Sequence, residues 1–227
     1  VSTTSKIDVL STTGGKINNF SVSYSTTVYG TPPGLNLVGS SSNSISNGTF
    51  NTGWEGIVLK SSGSDSSDNN NIQNITFSDQ IFGVYLSGGH DNTFVNNTFS
   101  ENYRAVYITS CSYCVNNSFY HNVFSNSGFR NVDDFHTTSV NFFNTTFNNS
   151  AQGNEWDDYC NKGQDNNSDD HADLASSGAN DWPYNTTVSS KIFGPVTDYG
   201  PKITTCVTEV QLGDGSGSGS STAASGS

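Results

Sequence analysis

Residues 70–110 read NNIQNITFSDQIFGVYLSGGHDNTFVNNTFSENYRAVYITS, and one phrase occurs in them twice, as Ile72-x-Asn74-x-x-Phe77 and Phe94-x-Asn96-x-x-Phe99. Working outward, it returns as Ile17-x-Asn19-x-x-Val22, Ile45-x-Asn47-x-x-Phe50, Phe119-x-His121-x-x-Phe124 and Phe142-x-Asn144-x-x-Phe147. The six starts lie 28, 27, 22, 25 and 23 residues apart. That period is one turn of a parallel β-helix and is too short for most helical repeats.

A second strand signal follows in three coils, Gly56-Ile57-Val58-Leu59, Gly83-Val84-Tyr85-Leu86 and Ala105-Val106-Tyr107-Ile108. Each coil reads as two or three short strands with alternate residues pointing in. The turns carry Gly, Asn, Asp and Ser, as in Ser87-Gly88-Gly89-His90-Asp91-Asn92. The expected fold is all-β, a parallel β-helix of about six coils over 1–150, with an irregular cap over 151–206 and a Gly/Ser-rich tail over 207–227. Stacked coils explain how a chain with 32% hydrophobic residues, about two-fifths Ser, Thr and Asn, still buries a continuous apolar column.

Eight basic against twenty acidic residues give a net charge of −12, which leaves no cationic groove for nucleic acid. Polyanionic sugars are disfavoured for the same reason. No apolar run is long enough to span a bilayer, and no signal peptide is present. Beginning at Val1, the chain reads as a processed, extracellular or cell-surface form.

Nine Asn-x-Ser/Thr sequons occur, which points to a secreted glycoprotein carrying N-linked glycans. Asn19, Asn47, Asn74, Asn96 and Asn144 fall on the repeated Asn itself. Two residues after an inward apolar position, strict alternation turns them inward as an amide ladder, coil to coil at ~4.8 Å. The competing arrangement is an outward glycan stripe. On the inward expectation, the glycan sites are Asn116, Asn148, Asn166 and Asn185, and His121 is a hydrogen-bonding substitute within the ladder.

Four cysteines suit two disulfides in an oxidising compartment, with Cys111–Cys114 and Cys160–Cys206 the preferred pairing; the other connectivities stay open, and a zinc site is a weak match. Asp165, Asn167, Asp169 and Asp173 follow the 1, 3, 5, 9 spacing of a calcium loop. Asp170 stands where Gly is usual and Ser176 where a bidentate Glu is usual, so Asp157, Asp158 or Asp181 would complete the shell.

The coils of residues 70–110 resemble the β-helix repeats of the NosD-like, carbohydrate-binding and sugar-hydrolase superfamily. The segments GNEWDDY, DNNSDDHAD, WPYN and TDYGP are similar to the C-terminal cap of its archaeal cell-surface members, so the likeness spans roughly residues 40 to 202. It implies a right-handed parallel β-helix and is weak for function. Copper binding does not carry over, because Met is absent and His90, His121, His136 and His171 show no tight ligand spacing.

Two carboxylate clusters are candidate catalytic groups. Asp79 and Glu101 occupy equivalent positions in neighbouring coils, a separation suited to retaining glycosidases, with Arg104 offering Glu101 an ordinary ion pair. Asp133, Asp134 and His136 lie near Arg130. The structural alternative is favoured: the first coil has no covering helix, and its open end and the tail suit association with copies of itself or other surface proteins, in a filament or surface layer. An enzyme or glycan-binding protein using the outer face is the alternative.

Overall fold

The computed structural model describes residues 6–138, 140–147, 150–160, 184–186, 189–199 and 201–204. Every regular element among them is a β-strand. The coils stack in parallel around three faces, forming a right-handed parallel β-helix. On the first face Lys16, Ser44, Asn71, Thr93 and Ser118 stand in one row. On the second, Val22, Phe50, Phe77, Phe99, Phe124 and Trp156 do so. On the third the row is Val9, Leu37, Leu59, Leu86, Ile108 and Asp134. The second face continues past residue 150 through Glu155–Cys160 to Lys202–Thr204.

Inward positions are apolar because they stack into columns. Phe50, Phe77, Phe99, Phe124, Trp156 and Tyr184 form one file, with successive ring centroids 5.4, 4.8, 4.9, 4.3 and 4.2 Å apart. Phe94, Phe119 and Phe143 form a second, at 4.5 and 5.1 Å. Each buried Phe contributes about 1.5–3 kcal/mol relative to exposure. Gly56 and Gly83 make room for the first file: a Cβ on Gly83 would stand 2.6 Å from the Ala105 carbonyl oxygen and 3.0 Å from the Phe99 ring.

The corners explain the repeated asparagine. Asn19, Asn47, Asn74, Asn96 and His121 all have φ of 54–55° and all are exposed. Asn is enriched there because its short polar side chain tolerates the left-handed region better than most L-residues do, and His shares part of that enrichment. The inward expectation for this column is therefore corrected. One left-handed residue turns the chain through the corner and resets the alternation, so the next residue points in.

The amide ladders occupy the neighbouring columns. Asn97 Nδ2 donates to Asn122 Oδ1 (3.0 Å) and Asn122 Nδ2 to Asn154 Oδ1 (2.9 Å). A longer ladder runs from Asn43 through Asn70, Asn92 and Asn117 to Asn141, with links of 2.9–3.1 Å. Each of these amides is buried. The same Oδ1 atoms also accept backbone N–H groups from the preceding coil, as Asn97 does from Ile75 (3.0 Å), which satisfies donors that the corners leave orphaned.

The sixth phrase departs from the register. Phe142 is 52% exposed, whereas Phe143 is buried against Phe119, and 145–147 pairs antiparallel with 150–152. Cys111 and Cys114 form a disulfide. Cys206, the segment 161–183 with its calcium-loop residues Asp165, Asn167, Asp169 and Asp173, the sequons Asn148 and Asn166, and the tail lie outside the described residues.

Candidate functional site

The third face turns an aromatic layer outward. Alternation puts Ile57, Val84 and Val106 in the core, so Val58, Tyr85, Tyr107, Asp133 and Phe193 form one outward row. Beside it runs Glu55, Phe82, Arg104 and Arg130. Ring contacts continue from Tyr29 to Trp54 (4.9 Å), Phe82 (5.9 Å), Tyr107 (5.0 Å), Phe135 (5.2 Å) and Phe193 (5.1 Å). Tyr29 is carried by a loop in which Thr31 N donates to Val28 O (3.2 Å) and Gly30 takes a φ of 90° that L side chains resist.

At the N-terminal end of this layer Tyr29, Trp54, Phe82, Tyr85 and Tyr107 line a groove of about 510 Å³ that also contains Glu55 and Lys60. Burial raises the Glu55 carboxyl above its ordinary value of 4.5, with Lys60 opposing the shift. Burial also raises the Tyr85 hydroxyl, aided by Tyr107 and Glu55. The groove thus offers ring surfaces with one acidic and one basic orienting group.

The far end of the layer is closed. Arg104 Nε and Arg130 Nη1 each lie 2.6 Å from a different oxygen of Asp133, whose side chain has no exposure. The guanidinium of Arg104 sits 4.8 Å from the Phe129 ring centre and that of Arg130 4.5 Å from it. Arg104 is therefore committed to Asp133 rather than to Glu101. Pairing at both oxygens and ring stacking lock the carboxylate in place.

Asp134 points to the opposite side of the same strand. Its Oδ1 faces His136 Nδ1 (2.6 Å), its Oδ2 accepts from Asn141 Nδ2 (3.0 Å), and His136 Nε2 lies 3.1 Å from the Cys111 carbonyl oxygen. Asp133 and Asp134 thus do not face a common space. Asp79 and Glu101 do share a corner with Thr52 and Asn126, all with φ of 52–57°. Asp79 Oδ2 accepts from Thr52 Oγ1 at 3.1 Å. Asn116 stands exposed on the third corner, and Asn144 and Asn185 are partly exposed.

Trp54, Glu55 and Tyr29 escaped the sequence reading, because their proximity comes from stacking coils laterally. The repeated offset of Tyr85 and Tyr107 is the signal that was there to be followed.

Three faces, ladders at the corners and a lateral aromatic groove define a right-handed parallel β-helix. The family model described as periplasmic copper-binding protein (NosD) matches residues 16–160, and the chain belongs to that family. No curated protein and no solved structure matches it. No helix among the described residues is long and apolar enough to cross a membrane.

The described residues do not fit copper. The sequence has no Met, Cys111 and Cys114 are joined, and no group of three or more His, Cys, Asp or Glu side chains among the described residues is arranged to hold a metal ion. His90 is held between Asp91 (2.6 Å) and Asp68 (3.1 Å), His136 as above, and His121 Nε2 lies 3.1 Å from Gln152 Oε1.

Proposed function

We propose that this chain is an extracellular or periplasmic β-helical module that binds neutral saccharides in the groove between Tyr29 and Tyr107. The carrying observation is the groove's chemistry: five aromatic side chains around one carboxylate and one ammonium. Ring faces suit the C–H faces of a pyranose, and a few convergent polar groups fix its hydroxyls. Glu55 and Lys60 offset one another, and the net charge of −12 opposes a polyuronate. Titration with neutral and uronic-acid oligosaccharides tests this. Binding of neutral sugars that is lost in Trp54→Ala and Tyr107→Ala supports it; no binding, or binding indifferent to both substitutions, overturns it.

A second reading, end-to-end association into filaments or a surface layer, draws on Ile7–Leu10 and Lys16–Ser23, each paired along one edge only among the described residues. Open strand edges template pairing with another chain. Electron microscopy of concentrated protein checks it, and a strictly monomeric particle rules it out. Calcium at Asp165, Asn167, Asp169 and Asp173 stands as a further proposal from their spacing, testable by calorimetry on the full chain and its Asp169→Asn variant.

A further inference from the structure

The exposed corner between the first and second faces holds a motif that saccharide binding does not use. Asn19, Asn47, Asn74 and Asn96 are each the first residue of a sequon, and they stand in one column on four successive coils. Their side chains are solvent-exposed, held only by contacts along the corner such as Asn47 Nδ2 to Asn18 Oδ1 (2.9 Å) and Asn74 Nδ2 to Asn47 Oδ1 (3.3 Å). The third residues of the sequons, Ser21, Thr49, Thr76 and Thr98, face outward beside inward Val22, Phe50, Phe77 and Phe99. Nothing in the core depends on the sequon hydroxyls. The buried amides that do hold the coils together are one residue later, at Asn97 and Asn122.

We propose that this column is an N-glycosylation stripe. In the modification, Asn Nδ2 attacks the anomeric carbon of a lipid-phosphate-linked oligosaccharide. An N–C bond forms, the C–O bond to phosphate breaks, the lipid phosphate departs, and the amide gives up one proton. The modified Asn keeps one N–H for its neighbour along the corner.

Adjacent coils lie ~4.8 Å apart, closer than two sugar rings with their substituents pack side by side. Sugars on one molecule therefore skip adjacent coils, pairing Asn19 with Asn74, Asn47 with Asn96 or Asn19 with Asn96. The stripe lies on the edge of the three-sided coil opposite the aromatic face, so attached sugars leave the groove open.

The test is expression of the full chain through the secretory route of an N-glycosylating host, with glycopeptide and intact-mass spectrometry. The expected result is sugar on at least two of the four column asparagines, with no molecule carrying more than two. Thr76→Val should remove sugar from Asn74 alone, and Thr98→Val from Asn96 alone, with an unchanged β-sheet circular dichroism spectrum. Folded, secreted protein with all four asparagines bare overturns the stripe, whether or not Asn116 or Asn185 is modified. Molecules carrying sugar on three or four of them, or on two adjacent ones, overturn the spacing.

Discussion

Asn154 donates both its backbone N–H (2.7 Å) and its side-chain Nδ2–H (3.2 Å) to a single carboxylate oxygen of Asp198. The other ladder ends alike, with Asn141 Nδ2 donating to Asp134 Oδ2 (3.0 Å). A head-to-tail file of amides leaves a donor at one end, and here a carboxylate oxygen accepts from it alongside backbone carbonyls.

Removing that acceptor is therefore costly. Asp198→Ala strands the Asn154 backbone N–H and the Trp156 indole N–H, which also donates to Asp198 (2.9 Å), in a buried site, while Asn154 Nδ2 keeps the Phe119 and Phe143 carbonyl oxygens. Unsatisfied buried donors cost ~1–3 kcal/mol each, so the variant should lose about 3 kcal/mol or more in denaturant unfolding. A loss below about 1 kcal/mol would contradict the terminator role.

Neighbouring asparagines should respond in opposite ways. Asn96→Gly keeps the left-handed corner and should be near neutral. Asn97→Ala removes the acceptor for Ile75 N and the donor to Asn122, and should cost about 2–3 kcal/mol. Urea midpoints of the two variants, measured side by side, decide it.

Glu55 sets a pH dependence. Its folded carboxyl is raised above 4.5 by burial, so the folded state favours the protonated form. The stabilisation is fully present below the unfolded value and is lost as pH rises through the folded one. Glu55→Gln should thus gain on the parent in melting temperature between pH 4 and 7. A difference that stays constant, or runs the other way, refutes the assignment.

Asp133 should prove structural. Asp133→Asn weakens two charge-assisted contacts and leaves Arg104 and Arg130 without a counter-charge, a loss of about 3 kcal/mol by analogy with broken buried pairs. Denaturant unfolding of the variant beside the parent checks this, and a loss below about 1 kcal/mol refutes it.

Ile72, Phe77, Phe94 and Phe99 declared the fold because a stacked core imposes one period on every coil, and all four are buried. Asn74 and Asn96 misled because parity along a strand holds only until a left-handed residue intervenes. Phe142 misled because the Phe beside it is the one that stacks: Phe143 stands two residues after the ladder Asn141, as Phe119 stands two after Asn117. Tyr29, Trp54 and Glu55 read singly as ordinary strand or loop residues; only the lateral register makes them a groove.

The carboxylates at the ladder ends work like a full stop. Any coil carrying an amide can receive the coil before it and be received by the one after, so the pattern itself sets no length. At the end of each file a carboxylate from outside the amide column takes over as acceptor, so the file of amides goes no further. The two amide files thus stop at Asp134 and Asp198 while the strands beside them run on, Val132 pairing with Ile192 and Glu155 with Lys202.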